Sequence, residues 1–334
     1  MSSIAAQAQN KIKAKAAAAQ ARQLFPVQMA FWQDDRRAIA NELARCALFH
    51  CRDNRKPRQY FDNVELFMLG EGTVTYKGEE LRTQDEDIFV TLAHLARDMP
   101  SGKMTVRVTS SDICKLNNWR QDQRYYNSIF LSIQRMKAGA ITVFSRRLAK
   151  ALRCQKAIEA GASEEILAQL HDELQSLEDN IGVPQLVEEK GEIAGIMLSL
   201  ISGEPIMTGA EGIKNNIPQG NLTWEIQLDK NLVALFAKPY LTLVDMRARN
   251  ALSGTGRRLQ AYFSSHKRPY PVSLRKLERM LGLSFKDIAA LKHNMKLQLE
   301  QLKEWQVIVD YEFKRSADGD WLVSVTRPER AQND

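Results

Sequence analysis

Two stretches of the chain repeat one pattern of apolar and polar positions. In the first, Ile88, Leu92 and Leu95 are spaced four and three apart and predict a helix. MTVRV (104–108) alternates as a short strand, Thr109 or Ser110 can cap a short helix SDICKLNN, and a turn at Trp119 leads to a longer helix from about Asp122 to Lys137. That helix carries the stripe Ile129, Ile133 and Met136, stops at Gly139, and is followed by the strand AITVF (140–144). The same order returns in the C-terminal third. A helix around Leu259 to Ser265 precedes the strand YPVS (270–273), a helix SLRKLERMLGL capped by Ser273, and a turn at Ser284-Phe285. A long helix then carries Ile288, Leu291, Met295, Leu299 and Leu302. QVIVDYEF (306–313) and WLVSV (321–325) follow as strands about Asp318-Gly319, a hairpin signal.

The two stretches superpose. Val108, Ile113, Leu116 and Trp119 fall on Val272, Leu277, Met280 and Leu283 at one constant offset, and after a two-residue insertion Ile129, Ile133 and Met136 fall on Met295, Leu299 and Leu302. Helix, strand, helix, turn, helix, hairpin is the winged-helix order. Two copies form an internal repeat of domain size. The expected fold is therefore α+β and helix-rich, with two tandem winged-helix domains; two unrelated α+β modules are the other reading of the same pattern. The expected boundaries are a basic arm and apolar tether at 1–40, a first domain at 41–228, a second at 229–328 and a short tail at 329–334. Within the first domain, Asp34 to Phe49 reads as helix, and NVELFML (63–69) with TVTYKGEEL as a strand pair. An acidic helical insertion at about 146–192 separates AITVF from its expected return strand GIMLSLI (195–201). Ten acids from Glu159 to Glu192 and the stripe Ile166, Leu170, Leu174 and Leu177 suit packing on protein rather than on DNA.

Composition excludes several classes. With 334 residues, 44% hydrophobic and 26% charged, the chain is neither disordered nor fibrous. No run of 18 apolar residues exists and the N-terminus lacks a secretory core, so a cytoplasmic location and no membrane partner are expected. Cys46, Cys51, Cys114 and Cys154 form no CxxC pair and read as free thiols. The scattered histidines offer no metal spacing, and GxxxxGK[ST] is absent. Ser253-Gly254-Thr255-Gly256-Arg257 resembles a phosphate loop only superficially and reads as a helix entry. No cofactor, no metal and no catalytic centre are expected.

The excess of 47 Lys and Arg over 40 Asp and Glu is unevenly placed. From 120 to 150, seven basic residues face Asp122 alone; from 247 to 279, nine face Glu278 alone. A basic run is either a solvated face or a nucleic-acid face. Coincidence of both runs with helix-turn-helix units favours the second. In such a unit the second helix of the pair enters the major groove. The candidate DNA-binding residues are then Arg120, Gln121, Gln123, Arg124, Asn127 and Arg135 in the first unit and Lys286, Lys292, His293 and Lys296 in the second. Arg257, Arg258, Lys267 and Arg268 supply further charge, and Arg146-Arg147 and Lys314-Arg315 would form the wing tips. His293 reads equally as a base reader or a plain surface histidine. Tyr125-Tyr126 could be read as nicking nucleophiles, but no histidine cluster accompanies them, and one tyrosine packing on the core with the other facing the backbone is the expected arrangement.

CALFHCRDNRKPR (46–58), TYKGEELRTQDED (75–87), QRYYNSIFLSIQRMKAGAITVF (123–144) and YFSSHKRPYPVSL (262–274) together resemble the TrfA-type plasmid replication initiators, over roughly residues 24 to 328. The resemblance implies two winged-helix domains that bind direct repeats (iterons) of duplex DNA at a plasmid origin. It also implies opening of an adjacent AT-rich segment without ATP hydrolysis, contact with the single-stranded DNA so formed, and recruitment of the host initiator, replicative helicase and sliding clamp. Exchange between dimer and monomer, and a bacterial cytoplasmic location on plasmid or nucleoid, belong to the same picture. A winged-helix transcriptional repressor is the alternative, and a nicking or strand-transfer enzyme a third class. A Gln-Leu-Ser-Leu-Phe clamp motif in that family corresponds here to Gln23-Leu24-Phe25-Pro26-Val27, shortened and interrupted by proline. Gln23, Leu24 and Phe25 are the candidate clamp contacts; a strand or tether packed on the first domain, and an unstructured arm, are the competing readings of Gln23 to Trp32.

Overall fold

The computed structural model describes residues 32–146 apart from 54, 98 and 100–103, then 148, 153, 157 and 160–170, and 194–328 apart from 210–212, 215–216 and 237–240. The arm and the candidate clamp contacts Gln23, Leu24 and Phe25 lie outside these residues. So do Arg147 and most of the acidic insertion, of which 164–170 is helical.

A central helix, α2 (Thr83–Ala96), organises the chain around it; α1 (Asn41–Arg45) is the short helix before it. Nearly every residue of α2 is buried, its acids included, so this helix packs on all sides rather than along one stripe. After it come β6 (Thr105–Thr109), α3 (Ser110–Leu116) and α4 (Gln123–Ala138). Thr109 Oγ1 accepts the Asp112 N–H at 3.1 Å and Asp122 Oδ1 accepts that of Tyr125 at 3.2 Å, so each helix starts on a side-chain cap. After two short helices, α5 (Leu232–Leu235) and α6 (Met246–Ala251), the second unit repeats the series with α7 (Gly254–Ser264), β14 (Val272–Ser273), α8 (Leu274–Met280) and α9 (Ile288–Glu304). Its caps are Ser253, Ser273 and Asp287. Ser253-Gly254-Thr255-Gly256-Arg257 is thus a helix entry, and Gly254 is small because α7 starts against Thr83, whose Oγ1 a Cβ would meet at 2.8 Å.

In the second unit, β15 (Asp310–Arg315) and β16 (Trp321–Thr326) form the hairpin, and β14 pairs with β16, Val272 opposite Val323. The first unit departs from its expected hairpin. β7 (Ala140–Ser145) does pair with β8 (Ala194–Leu198), but these strands join β3 (Tyr60–Leu66) and β4 (Thr73–Glu79) in a four-stranded sheet of order β3-β4-β7-β8. The hairpin that pairs with β6 is β9 (Ile201–Thr208) with β12 (Thr223–Leu228), the short pair β10 (Ile213–Lys214) and β11 (Ile217–Pro218) lying between them in sequence and Trp224 opposite Val108. Trp224, Ile226 and Leu228 face inward, and the Trp224 indole N–H donates to Ser110 Oγ at 2.9 Å, which fixes this hairpin to the first turn of α3. Arg146 therefore follows β7 of the other sheet and does not lie in the β9–β12 hairpin, where a wing tip would be expected.

The helix expected from Asp34 to Phe49 is also corrected. β1 (Arg36–Ala40) is a strand, α1 spans five residues, and β2 (Phe49–His50) is a strand parallel to β5 (Leu81–Arg82). β1 pairs antiparallel with β13 (Leu241–Asp245), a partner some 200 residues away, so sheet pairing overrides local helical preference. Trp32 is buried against this region. Its Nε1–H donates to His94 Nδ1 at 2.9 Å and its ring stacks on Phe236.

Candidate nucleic-acid interface

The charged residues of the interior decide which cations are left for a ligand. TQDED (83–87) starts α2, where carboxylates are favoured by the helix dipole. Asp85 accepts the Arg82 backbone N–H at 2.7 Å, closing the first turn, and pairs with Arg58 at 2.7 Å and Arg135 at 2.8 Å, with the Ser132 hydroxyl also donating to it. Glu86 pairs with Arg258 and, at 2.9 Å, with Arg249; Asp87 pairs with Arg249 at 2.8 Å and with Arg257. Burial by itself would raise Glu86, but Arg258 and Arg249 hold it below the ordinary carboxylate range. Asp85 behaves likewise through Arg135 and Arg58. Three consecutive acids thus bind the third helix of the first unit on one side and α7 of the second unit on the other.

Three expected DNA contacts are corrected by this cluster. Arg258 is 0% exposed and donates to the carbonyls of Leu43, Ala44 and Cys46 as well as to Glu86. Arg135 has a side chain 10% exposed and spent on Asp85, and Arg257 is engaged with Asp87 and with the carbonyls of Arg249 and Leu252. A basic run in the sequence counts charge without saying which side of a helix carries it, and these guanidiniums face inward to the acids of α2.

What remains outward is ordered by helical phase. In α4, Ile129, Ser132, Ile133 and Met136 are buried, while Arg124, Asn127, Leu131 and Gln134 are exposed at spacings of three, four and three. That row combines a fork for guanine, amides for adenine and an apolar contact for a thymine methyl. Leu131 is 49% exposed on this face. Leu131 and Gln134 escaped the sequence reading, although the phase of the buried stripe points to both. Arg120 and Gln121 are exposed on the turn, where the Ser111 hydroxyl donates to Gln121; Gln123 donates to Asn127 Oδ1 at 2.9 Å. Tyr125 stacks on Trp119 with centroids 5.3 Å apart, and Tyr126 lies so close to Gly220 that a Cβ there would sit 2.5 Å from its hydroxyl. Both tyrosines pack against the core of the first unit, where only one was expected to.

In α9, Leu291, Met295, Leu299 and Leu302 are buried and His293, Lys296 and Leu297 are exposed, with Lys286 exposed just before the cap. Lys292 is different. Its ammonium sits 3.2 Å from the centre of the Trp321 ring and 5.2 Å from that of Phe313, joining the helix to the hairpin. Arg315 lies 5.0 Å from the same indole, and Lys314 pairs with Glu312 at 2.7 Å. Lys267 and Arg268 are exposed in the turn before β14.

The turn of the second unit is seated on the first. The Cys51 N–H donates to Leu281 O at 2.8 Å and Arg52 Nε to Gly282 O at 3.1 Å. Gly282 has φ +63 and leaves no room for a Cβ, which would lie 2.4 Å from His50 Cγ. Arg279 covers the Phe67 ring at 4.1 Å. These contacts and the buried ion pairs join the unit that carries α4 to the unit that carries α9. Among the described residues no group of His, Cys, Asp or Glu could hold a metal ion, and no helix is long and apolar enough to cross a membrane.

Comparison with known proteins agrees with this architecture. A family model described as TrfA protein matches residues 2–157 and 219–310. The plasmid replication initiator protein TrfA of Escherichia coli is 26% identical over 264 residues, which cover 78% of this chain and 55% of that protein. The chain thus spans about half the length of that curated relative. Among solved structures, the crystal structure of domains 2 and 3 of RctB is similar with a TM-score of 0.50 at 11% identity, covering 86% of this chain and 98% of that one. At that identity the likeness is one of fold.

Proposed function

Because the family match spans most of its length, the chain belongs to the TrfA family, and from that premise we propose that it is a plasmid replication initiator that reads repeated duplex sites with two winged-helix units. The observation that carries this reading is the pair of outward helix faces, Arg124, Asn127, Leu131 and Gln134 on α4 and His293 and Lys296 on α9, set on units whose element order matches from the first helix through the reading helix. Each helix would lie in a major groove, with base contacts made from these faces and phosphate contacts from Lys267, Arg268, Lys286, Lys314 and Arg315. The hairpins β9–β12 and β15–β16 would serve as wings. Rigid coupling through α2 lets the two faces engage one site together, so the ordering cost of joining two modules is met in folding and not on binding.

In this proposal the protein binds iterons at the origin, favours opening of an adjacent AT-rich segment by binding energy alone, and recruits the host initiator, helicase and clamp, the clamp through Gln23, Leu24 and Phe25. It hydrolyses no nucleotide. The test uses the direct repeats of the plasmid that carries the gene. Purified full-length chain should bind a duplex of those repeats at least a hundredfold more tightly than a random duplex at the same salt, and an origin fragment should transform a host only when the protein is supplied. Equal affinity for both duplexes would refute the specific reading, and repression without replication would replace the initiator by a repressor.

A further inference from the structure

The loop between β2 and β3 is strongly basic, RDNRKPR at 52–58, and its Arg55 and Lys56 have no role described above. It is built from beneath. Arg82, 1% exposed and paired with Glu80 at 2.9 Å, donates to Asp53 O at 2.8 Å and to Pro57 O at 3.0 Å, so one buried guanidinium holds both ends of the loop. Asp53 Oδ1 accepts the Arg55 N–H at 2.9 Å, and the Lys56 N–H donates to Asp53 O at 3.1 Å. Arg58 is turned inward to Asp85. The side chains of Arg55 and Lys56 are exposed, and neither has an ion pair among the described residues. The loop's neighbour is the turn between α8 and α9, through Cys51, Arg52 and the His50 ring on Gly282.

We infer that this loop is a third DNA contact: Arg55 and Lys56 bind the phosphate backbone of the duplex beside the segment read by α9. The inference rests on the duplex-binding reading above and adds a site to it. Two exposed cations on a loop whose Asp53 and Pro57 carbonyls are tied to one buried guanidinium lose little freedom on meeting a phosphate, and the chain just before them, at Cys51 and Arg52, is bonded to Leu281 and Gly282 at the turn that leads toward α9. Phosphate contacts position a protein without reading sequence, so the loop should act equally on all duplexes.

The test compares the unsubstituted chain with the double variant Arg55→Ala, Lys56→Ala on a repeat-bearing and a random duplex across a salt series. Each phosphate contact contributes about 0.9 to the slope of log affinity against log salt, so loss of both should make the slope shallower by about 1.8. At 0.1 M salt that corresponds to a loss of roughly 60-fold, the same on both duplexes. A control, Lys77→Ala with Lys303→Ala, removes equal charge from two ion-paired surface sites and should leave the slope as it was. An unchanged slope in the loop variant, an equal change in the control, or a loss confined to the repeat duplex would each overturn the inference. Failure of the underlying reading shows elsewhere, in an unsubstituted chain that binds no duplex specifically.

Discussion

Arg258→Ala separates a buried strut from a DNA contact. The side chain is 0% exposed, pairs with Glu86, donates to the carbonyls of Leu43, Ala44 and Cys46, and lies 5.9 Å from the Phe49 ring. Truncation leaves Glu86 buried with Arg249 alone and removes the donor from three interior carbonyls. Breaking a buried ion pair by deleting one partner costs about 3–5 kcal/mol, a large share of a total stability of roughly 5–15 kcal/mol. With a urea slope of about 3 kcal/mol per molar, the unfolding midpoint should fall by about 1 M or more. Replacing both partners, Glu86→Gln with Arg258→Met, should cost less than the sum of the two single changes, since neither charge is then stranded. DNA binding by the folded fraction should keep its salt slope. The assays are urea unfolding followed by circular dichroism and a salt series of duplex binding. An unchanged midpoint together with a salt slope shallower by about 0.9 would mean that Arg258 faces phosphate and that its buried placement is wrong.

Three further outcomes are expected. Burial, with Arg37 and Arg97 nearby, pushes His94 down to about 4; its folded value lies below the ordinary one of about 6.5, so its stabilising contribution is complete above that pH and declines as pH falls toward 4, by no more than about 3 kcal/mol. Protonated Nδ1 cannot accept from Trp32, so the fluorescence change that distinguishes the unsubstituted chain from a Trp32→Phe variant should titrate near pH 4, and no change between pH 6 and 3.5 would contradict this. Gly282→Ala puts a Cβ against His50 at a positive φ and should destabilise by more than about 1 kcal/mol, read as a lower melting temperature; an unaltered one would show that the turn is not seated there. Lys292→Ala should speed amide exchange in β15 and β16, because a cation–π contact of about 0.5–2 kcal/mol between helix and hairpin is lost, whereas unchanged exchange would return Lys292 to a purely DNA-facing role.

Much of the architecture is legible along the chain because its signals are local. The stripes Ile129-Ile133-Met136 and Leu291-Met295-Leu299, and the caps Thr109, Ser253 and Ser273, sit within one or two helical turns of what they specify. Partner choice between strands is not local. Nothing near AITVF says that it pairs with TVTYK rather than with MTVRV, and nothing near RRAIA announces a partner at Leu241–Asp245. The same limit governs charge. TQDED and the arginines 249, 257 and 258 are far apart in sequence, so their mutual burial is visible only once α2 and α7 are packed together. Leu131 and Gln134 were within reach, since extending the buried phase of α4 by one turn gives both.

The central claim is that two rigidly joined helix faces read one duplex site, and a footprint tests it most directly. Hydroxyl-radical cleavage of a repeat-bearing duplex with the full-length chain should show two protected segments per repeat. Arg124→Ala with Asn127→Ala should uncover one of them, and His293→Ala with Lys296→Ala the other. A single protected segment, or one pair of substitutions uncovering both while the other uncovers neither, would contradict the two-face account.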